Sequence, residues 1–216
     1  MRKRSFNLCQ EGLPFIGFSV LVALSFAFLG WGLPTLLVLV MTFFVMHFFR
    51  DPERVISAKK EQVLSPADGK VVAVRKALEP FSKEQHLCIS IFMNIFNVHV
   101  NRSPVKGKIS KINYLPGRFF NASLDKASEQ NERNEILIED NNGEQWTVVQ
   151  IAGLIARRII CWSEEGDFLE KGDRIGLIKF GSRVDLYLPT EYDVHVSLGQ
   201  KVAAGQDILA QSSTIT

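Results

Sequence analysis

Apolar residues dominate from Leu13 to Leu29 and again from Leu33 to Phe49, and the texture of the chain changes at Arg50. Between the two runs, GWGLP at Gly30–Pro34 supplies the glycine and proline that interrupt helices. Each run approaches the ~20 residues a membrane-crossing helix needs, which predicts a hydrophobic helical hairpin over residues 1–50, as two closely spaced passes or a re-entrant loop. Basic residues stand at both ends, in MRKR and in FFRDPER, and place both ends on the cytoplasmic side. Trp31 at the turn suits an interfacial anchor. A cleaved signal peptide would not be followed by a second apolar run; a buried hairpin of a soluble protein is the other reading of the pattern.

Beyond Arg50 the apolar positions come in short runs rich in β-branched residues: Lys70–Leu78, His86–Met93, Glu135–Asp140 and Trp146–Gly153. Asn142-Gly143 between the last two predicts a tight hairpin. A short helix around Ala122–Gln130 is the one competing helical segment, so residues 51–216 read as a mainly β domain. Leu177–Pro189 reads as one buried strand faulted at Gly181-Ser182. GDFLEKGDRI (Gly166–Ile175) and GQKVAAGQDI (Gly199–Ile208) repeat at an offset of 33, with glycine at the first and seventh places. That pattern is similar to the half-motif of lipoyl/biotinyl-type β-sandwiches, and SPADGKVVAV (Ser65–Val74) looks like a related strand entry.

Charge narrows the field. Within residues 1–50, Arg2, Lys3, Arg4 and Arg50 outweigh Glu11 by three, which leaves −1 of the total +2 for the rest, so no basic domain points to nucleic acid. Three cysteines far apart suit a reduced compartment, with Cys88 and Cys161 as core filler. A carrier function would need a modified lysine at a hairpin tip, but Lys126 in LDKAS precedes the repeat by about forty residues. A zinc hydrolase would need clustered ligands, whereas His47, His86, His99 and His195 are scattered, so no metal is expected.

The remaining chemistry is nucleophilic. A serine attacks when a base takes its proton, and a carboxylate orients that base. Ser182 after Gly181, His99 and Asp68 supply the three types. If they converge, the carbonyl nearest Ser182 Oγ is that of Gly181. Attack there converts the peptide bond to an ester, and β-elimination followed by hydrolysis leaves a pyruvoyl group at residue 182.

FFRDPER, SPADGKV, FMNIFNVHVNRSPV, GRFFNASLDKASEQNERN, IAGLIARRI and the terminal Gly-Ser segment together resemble the short bacterial form of the phosphatidylserine decarboxylase family over nearly the whole chain. The resemblance implies a pyruvoyl-dependent carboxy-lyase that makes phosphatidylethanolamine from phosphatidylserine, at the cytoplasmic face of a bacterial cell membrane. It implies Asp68, His99 and Ser182 as the self-processing triad, and fragments 1–181 and 182–216 held together as a heterodimer; higher oligomers are left open. The chain departs from the better-known form in carrying FGSR, with Phe180 and Arg183 around the Gly-Ser pair, and Phe96 where some members have a second histidine. His195 is a substitute for that histidine on paper only. Arg118, Asn121, Asn131 and Arg133 suit a phosphodiester or carboxylate and equally suit the fixing of loops. The rival functions are a pyruvoyl decarboxylase of another amine and a membrane-anchored carrier or adaptor.

Overall fold

The computed structural model describes residues 7–120, 122, 130–154, 158–179 and 181–213. The chain divides into two units, Met1–Glu53 and Arg54–Thr216, so the boundary falls inside FFRDPER, three residues beyond the change of texture.

In the first unit α1 (Leu13–Phe28) and α2 (Gly32–Phe48) form the expected hairpin. Pro14 sits in the first turn of α1, where its missing N–H costs nothing. Gly30, at φ +72°, makes the turn, and Trp31 stacks on Phe26 with ring centroids 5.6 Å apart. The two ends are clasped: Cys9 N donates to Phe49 O at 2.8 Å and Asp51 N to Asn7 O at 2.8 Å. Gly12 permits this, because a Cβ there would lie 2.5 Å from the Phe49 ring. Gln10–Phe28, 19 residues with mean hydropathy 1.8, is long and apolar enough to cross a membrane; Gly32–Phe48 is shorter. Large apolar side chains point outward along both helices, Phe18, Phe28, Leu33 and Phe43 among them, a contiguous apolar surface of the kind that marks an interaction with a membrane or a protein partner.

In the second unit every pairing between the named strands is antiparallel. Its strands are β1 (Gln62–Leu64), β2 (Gly69–Leu78), β3 (Gln85–Met93), β4 (Val100–Arg102), β5 (Gly107–Leu115), β6 (Arg133–Glu139) and β7 (Gln145–Ala152). There follow β8 (Ile159–Cys161), β9 (Phe168–Leu169), β10 (Arg174–Ile178), β11 (Ser182–Leu188), β12 (Tyr192–Val194), β13 (Lys201–Val202) and β14 (Ile208–Ser212). One sheet has eight strands in the order β13-β2-β3-β11-β7-β6-β5-β9, and two have three, β1-β14-β12 and β4-β10-β8. Gly143, at φ +81°, closes the β6–β7 hairpin as Asn142-Gly143 predicts. The expected helix at Ala122–Gln130 lies largely outside the described residues.

These orders are palindromic, and the reason is a duplication. β1, β2, β3 and β11–β14 form one half; β4–β10 form the other, inserted between β3 and β11. The repeat seen in the sequence accounts for one end of each half: Gly166, Gly172, Gly199 and Gly205 all have positive φ. The other end is a second repeat that the sequence reading missed, SPADGK at Ser65–Lys70 against SPVKGK at Ser103–Lys108. Ser65 Oγ donates to Ala67 O and Ser103 Oγ to Val105 O, each at 2.7 Å. Gly205 N donates to Ser65 O and Gly172 N to Ser103 O, each at 2.8 Å. Matching hydrogen bonds at matching places make this a structural duplication.

Alternation along β11 splits its side chains between two faces. Val184, Leu186 and Leu188 enter the main core with Ile89, Ile91, Ile136, Ile138 and Val148. On the other face the Arg183 guanidinium binds Asp185 through Nε at 2.6 Å and Nη2 at 3.0 Å, and Ser90 Oγ at 2.7 Å, all buried. Cys88 lies on that face too, and burial together with the Asp185 charge pushes its thiol up to about 12.

The structure corrects the reading of Leu177–Pro189 as one strand. β10 belongs to a three-stranded sheet and β11 to the eight-stranded one, and residues 179–181 carry the chain between them. Gly181, at φ +68°, is left-handed, a conformation that cannot continue a strand.

Candidate active site at the two crossovers

The chain passes between the two halves twice: from β3 to β4 through residues 94–99, and from β10 to β11 through residues 179–181. The crossovers run side by side because the strands on both sides of them are paired, Met93 with Ser182 and Val100 with Leu177. His99 ends the first crossover and Gly181-Ser182 ends the second. The duplication therefore brings together residues 82 positions apart.

His99 is fully buried. Its Nδ1 lies 2.9 Å from the Asn97 carbonyl. A carbonyl only accepts, so Nδ1 carries the proton and Nε2 presents a lone pair. Gly181 N–H points at that Nε2 from 3.4 Å, a long bond that aims the base at the Gly181-Ser182 segment without strongly occupying it. The turn below the ring is braced by Asn94 N to Asn97 Oδ1 and Phe96 N to Asn94 Oδ1, both 2.9 Å, and it presents Phe96 at the surface.

Ser182 begins β11, paired to Met93 on one side and Ala152 on the other. Its side chain is fully buried, and Oγ has no hydrogen-bond partner among the described residues. A buried hydroxyl left unsatisfied costs about 1–3 kcal/mol, so such groups are rare outside sites where they react. Among the described residues Gly181 has open space where a Cβ would stand; its glycine serves the left-handed backbone rather than a need for room there.

Asp68 stands at the same end of the sheet, since Gly69 packs against the Phe92 carbonyl and Met93 neighbours Ser182. Its hydrogen bonds run to Arg54 and Ala204 rather than to His99: Arg54 Nη2 reaches Oδ1 at 3.0 Å and Oδ2 at 2.9 Å, and Ala204 N reaches Oδ1 at 2.8 Å. Arg54, in FFRDPER, also holds Gln206 Oε1 at 2.8 Å. The structure thus brings His99 to the Gly181-Ser182 segment and leaves Asp68 at the start of β2, which β3 separates from the Ser182 strand, with the Asn97 carbonyl at the ring nitrogen a triad carboxylate would face.

The other candidates separate clearly. Asn131 spends its carboxamide on backbone: Nδ2 donates to Phe120 O at 2.8 Å and Ala152 O at 2.7 Å, and Oδ1 accepts from Phe120 N at 2.9 Å. It pins the loop around Arg118 to the end of β7, beside Ser182. Arg118 is exposed on that loop, and Arg133 pairs with Glu135 at 2.9 Å. Asn121, Lys126 and Phe180 lie outside the described residues. His195 is exposed after β12, its backbone N–H bonded to Leu209 O at 2.8 Å. A buried carboxamide chain, Asn134 to Gln150 at 3.0 Å and Gln150 to Asn101 at 2.9 Å, ties β6 and β7 to β4 on the Ser182 face. Arg54, Asn97 and Gly153 were not singled out from the sequence; the last closes β7, and an isolated glycine at a strand end was its one signal.

At the other end of the sheet the duplication repeats the scaffold without the chemistry. Lys106 takes the place of Asp68 in SPVKG, and a cleft of about 610 Å³ there is lined by Trp146, Lys106, Lys171 and Tyr192.

The family profile described as phosphatidylserine decarboxylase matches residues 41–210. The chain is 53% identical over 213 residues to the phosphatidylserine decarboxylase proenzyme of Nitratidesulfovibrio vulgaris, covering 99% of this chain and 98% of that one. It is 50% identical to the proenzyme of Oleidesulfovibrio alaskensis, over 97% of this chain and 96% of that one. With the proenzyme of Paraburkholderia xenovorans the identity is 51%, over 94% and 96%.

Proposed function

The chain belongs to the phosphatidylserine decarboxylase family, and from that premise we propose that it decarboxylates phosphatidylserine to phosphatidylethanolamine after cutting itself between Gly181 and Ser182. The observation that carries the site assignment is the buried Ser182 Oγ, without a hydrogen-bond partner among the described residues, directly after a left-handed glycine whose N–H faces His99 Nε2. Ser182 Oγ bonds to the Gly181 carbonyl carbon as His99 Nε2 takes its proton. The C–N bond then breaks, and the proton passes to the Ser182 amine, leaving an ester. Removal of the Ser182 α-proton expels the Gly181 carboxylate as the new C-terminus of 1–181. Water replaces the resulting enamine nitrogen as ammonia, so that fragment 182–216 begins with a pyruvoyl group.

That group, made from Ser182, would supply the conjugated carbonyl that accepts electrons as the substrate loses carbon dioxide. The residues present fit its formation, because the reacting hydroxyl is buried and has no hydrogen-bond partner among the described residues. In this reading Asn97 fixes the His99 tautomer, while Asp68, clamped by Arg54 and Ala204, steadies the turn leading into β2. The fragments stay together as a heterodimer because β11 lies between β3 and β7 and β14 between β1 and β12. The side chains of Arg118, Asn121 and Arg133 are assigned to the substrate's anionic head group. The apolar hairpin, with its ends clasped on one side, anchors the enzyme at the cytoplasmic face of a bacterial membrane, where the lipid resides.

Intact-mass measurement on denatured enzyme tests the assignment. Fragments 1–181 and 182–216, the smaller bearing a pyruvoyl terminus, together with phosphatidylethanolamine formed in phosphatidylserine vesicles, are expected, and Ser182→Ala should yield neither. Carbon dioxide from free amino acids but not from the lipid would replace the substrate. An uncut, inactive wild-type chain would remove the assignment in favour of a carrier or adaptor.

A further inference from the structure

Gly153 is buried immediately after β7, opposite the point where β11 begins. Its backbone has no positive φ, so nothing in its conformation calls for glycine. What it lacks is room. A Cβ at residue 153 would lie 2.2 Å from the Gly181 carbonyl oxygen and 3.1 Å from the Gly181 carbonyl carbon, with Ala122 Cβ at 3.4 Å. The nearest obstacles are the two atoms of the bond that Ser182 attacks. They are backbone, which cannot swing aside as the end of a flexible side chain can. Gly181 shows the complementary case, with a glycine-requiring φ of +68° and open space around its Cβ position.

We propose that Gly153 is a positioning residue for self-cleavage: its missing side chain leaves the gap that seats the Gly181 carbonyl, and a methyl group there turns that carbonyl away from Ser182 Oγ. The proposal rests on the Gly181-Ser182 cut and adds to it the element that aims the electrophile. Asn131 supports the seat, since its carboxamide holds the Ala152 carbonyl one residue earlier at 2.7 Å. Displacing the carbonyl by about 1 Å takes it out of attack geometry, and misplacements of that size cost on the order of 100-fold in rate.

The test compares Gly153→Ala with Gly176→Ala in full-length precursor synthesised in vitro. Gly176 is equally crowded, with a Cβ position 2.3 Å from Ile160 O, but its obstacles are Ile160, Gln150 and Cys161 rather than the scissile bond. Both variants are also made in a Ser182→Ala background, where thermal unfolding reports packing without any cut. Gly153→Ala is expected to fold and to cut about 100-fold more slowly than wild type, whereas any slowing in Gly176→Ala should follow its loss of stability. Hydroxylamine at neutral pH cleaves esters but not ordinary peptide bonds. It should release fragment 182–216 from wild type faster than elimination does, and should not rescue Gly153→Ala, because the block precedes the ester.

Cutting of Gly153→Ala at the wild-type rate would overturn the inference and leave the cleavage assignment standing. So would rescue by hydroxylamine, or slowing shared by both variants in proportion to stability. Failure of Gly153→Ala to fold even with Ser182→Ala would make the glycine a requirement of the sheet and also overturn it. A wild-type chain that is not cut between Gly181 and Ser182 would instead remove the reading on which the inference rests.

Discussion

Gly181 offers a test in which conformation and space make opposite predictions. The residue has φ +68°, and, its two chain neighbours aside, nothing among the described residues lies within 4 Å of its Cβ position. Substitution therefore meets no clash and costs only what an L-residue loses in the left-handed region, about 1–2 kcal/mol. Asparagine visits that region more readily than alanine, and valine, being β-branched, least readily. If the reactive precursor must keep φ near its present value, a cost of about 1–2 kcal/mol lowers the population of that conformer roughly 5–30-fold. Gly181→Ala should then cut roughly 5–30-fold more slowly than wild type, Gly181→Asn should fall between the two, and Gly181→Val should be slowest. In a Ser182→Ala background the same alanine should lower the melting temperature by no more than roughly 2–8 °C, and by less if reduced freedom of the unfolded chain offsets about 0.4–1 kcal/mol. The assay is the time course of fragments 1–181 and 182–216 on a denaturing gel after synthesis of the full chain. A ranking by size, with asparagine slower than alanine, would show that room rather than backbone conformation governs the position and would refute the reasoning.

Three further outcomes follow from the geometry. His99→Ala should accumulate uncut precursor and Asp68→Asn should cut slowly, both followed on the same gel; a normal rate in His99→Ala would move the base elsewhere. Removing residues 1–50 should release much of the protein from vesicles in a flotation assay yet leave self-cleavage intact, because Asp68, His99 and Ser182 all belong to the Arg54–Thr216 unit; a folded but uncut truncation would contradict this. Arg183→Met strands the Asp185 carboxylate, which is 1% exposed, and should destabilise Ser182→Ala precursor by about 3–5 kcal/mol. Adding Asp185→Leu should recover most of that loss, and thermal unfolding that showed no recovery would mean the pair's other neighbours dominate.

Reading the chain alone was enough where the determining forces are local. Two apolar runs around Gly30–Pro34 specify a hairpin because helix length and turn chemistry are written in consecutive residues, and Asn142-Gly143 specifies its turn for the same reason. Ser182, His99 and Asp68 were nameable because their residue types carry chemistry and the motifs around them match one family. The sequence could not show that Leu177–Pro189 is two strands in two sheets, since both β10 and β11 are short buried runs and only their partners tell them apart. Nor could it show the full duplication: SPADGK and SPVKGK share a fold through backbone hydrogen bonds, which leave few constraints on the side chains between the turn positions the two copies share. The tertiary structure alone decided that Nδ1 of His99 faces Asn97 and that the bonds of Asp68 run to Arg54, because side-chain partners are chosen by distances across strands. It also decided the role open to Gly153. A glycine's missing side chain has meaning only relative to what fills the space, and here that is the carbonyl of a residue 28 positions further along the chain.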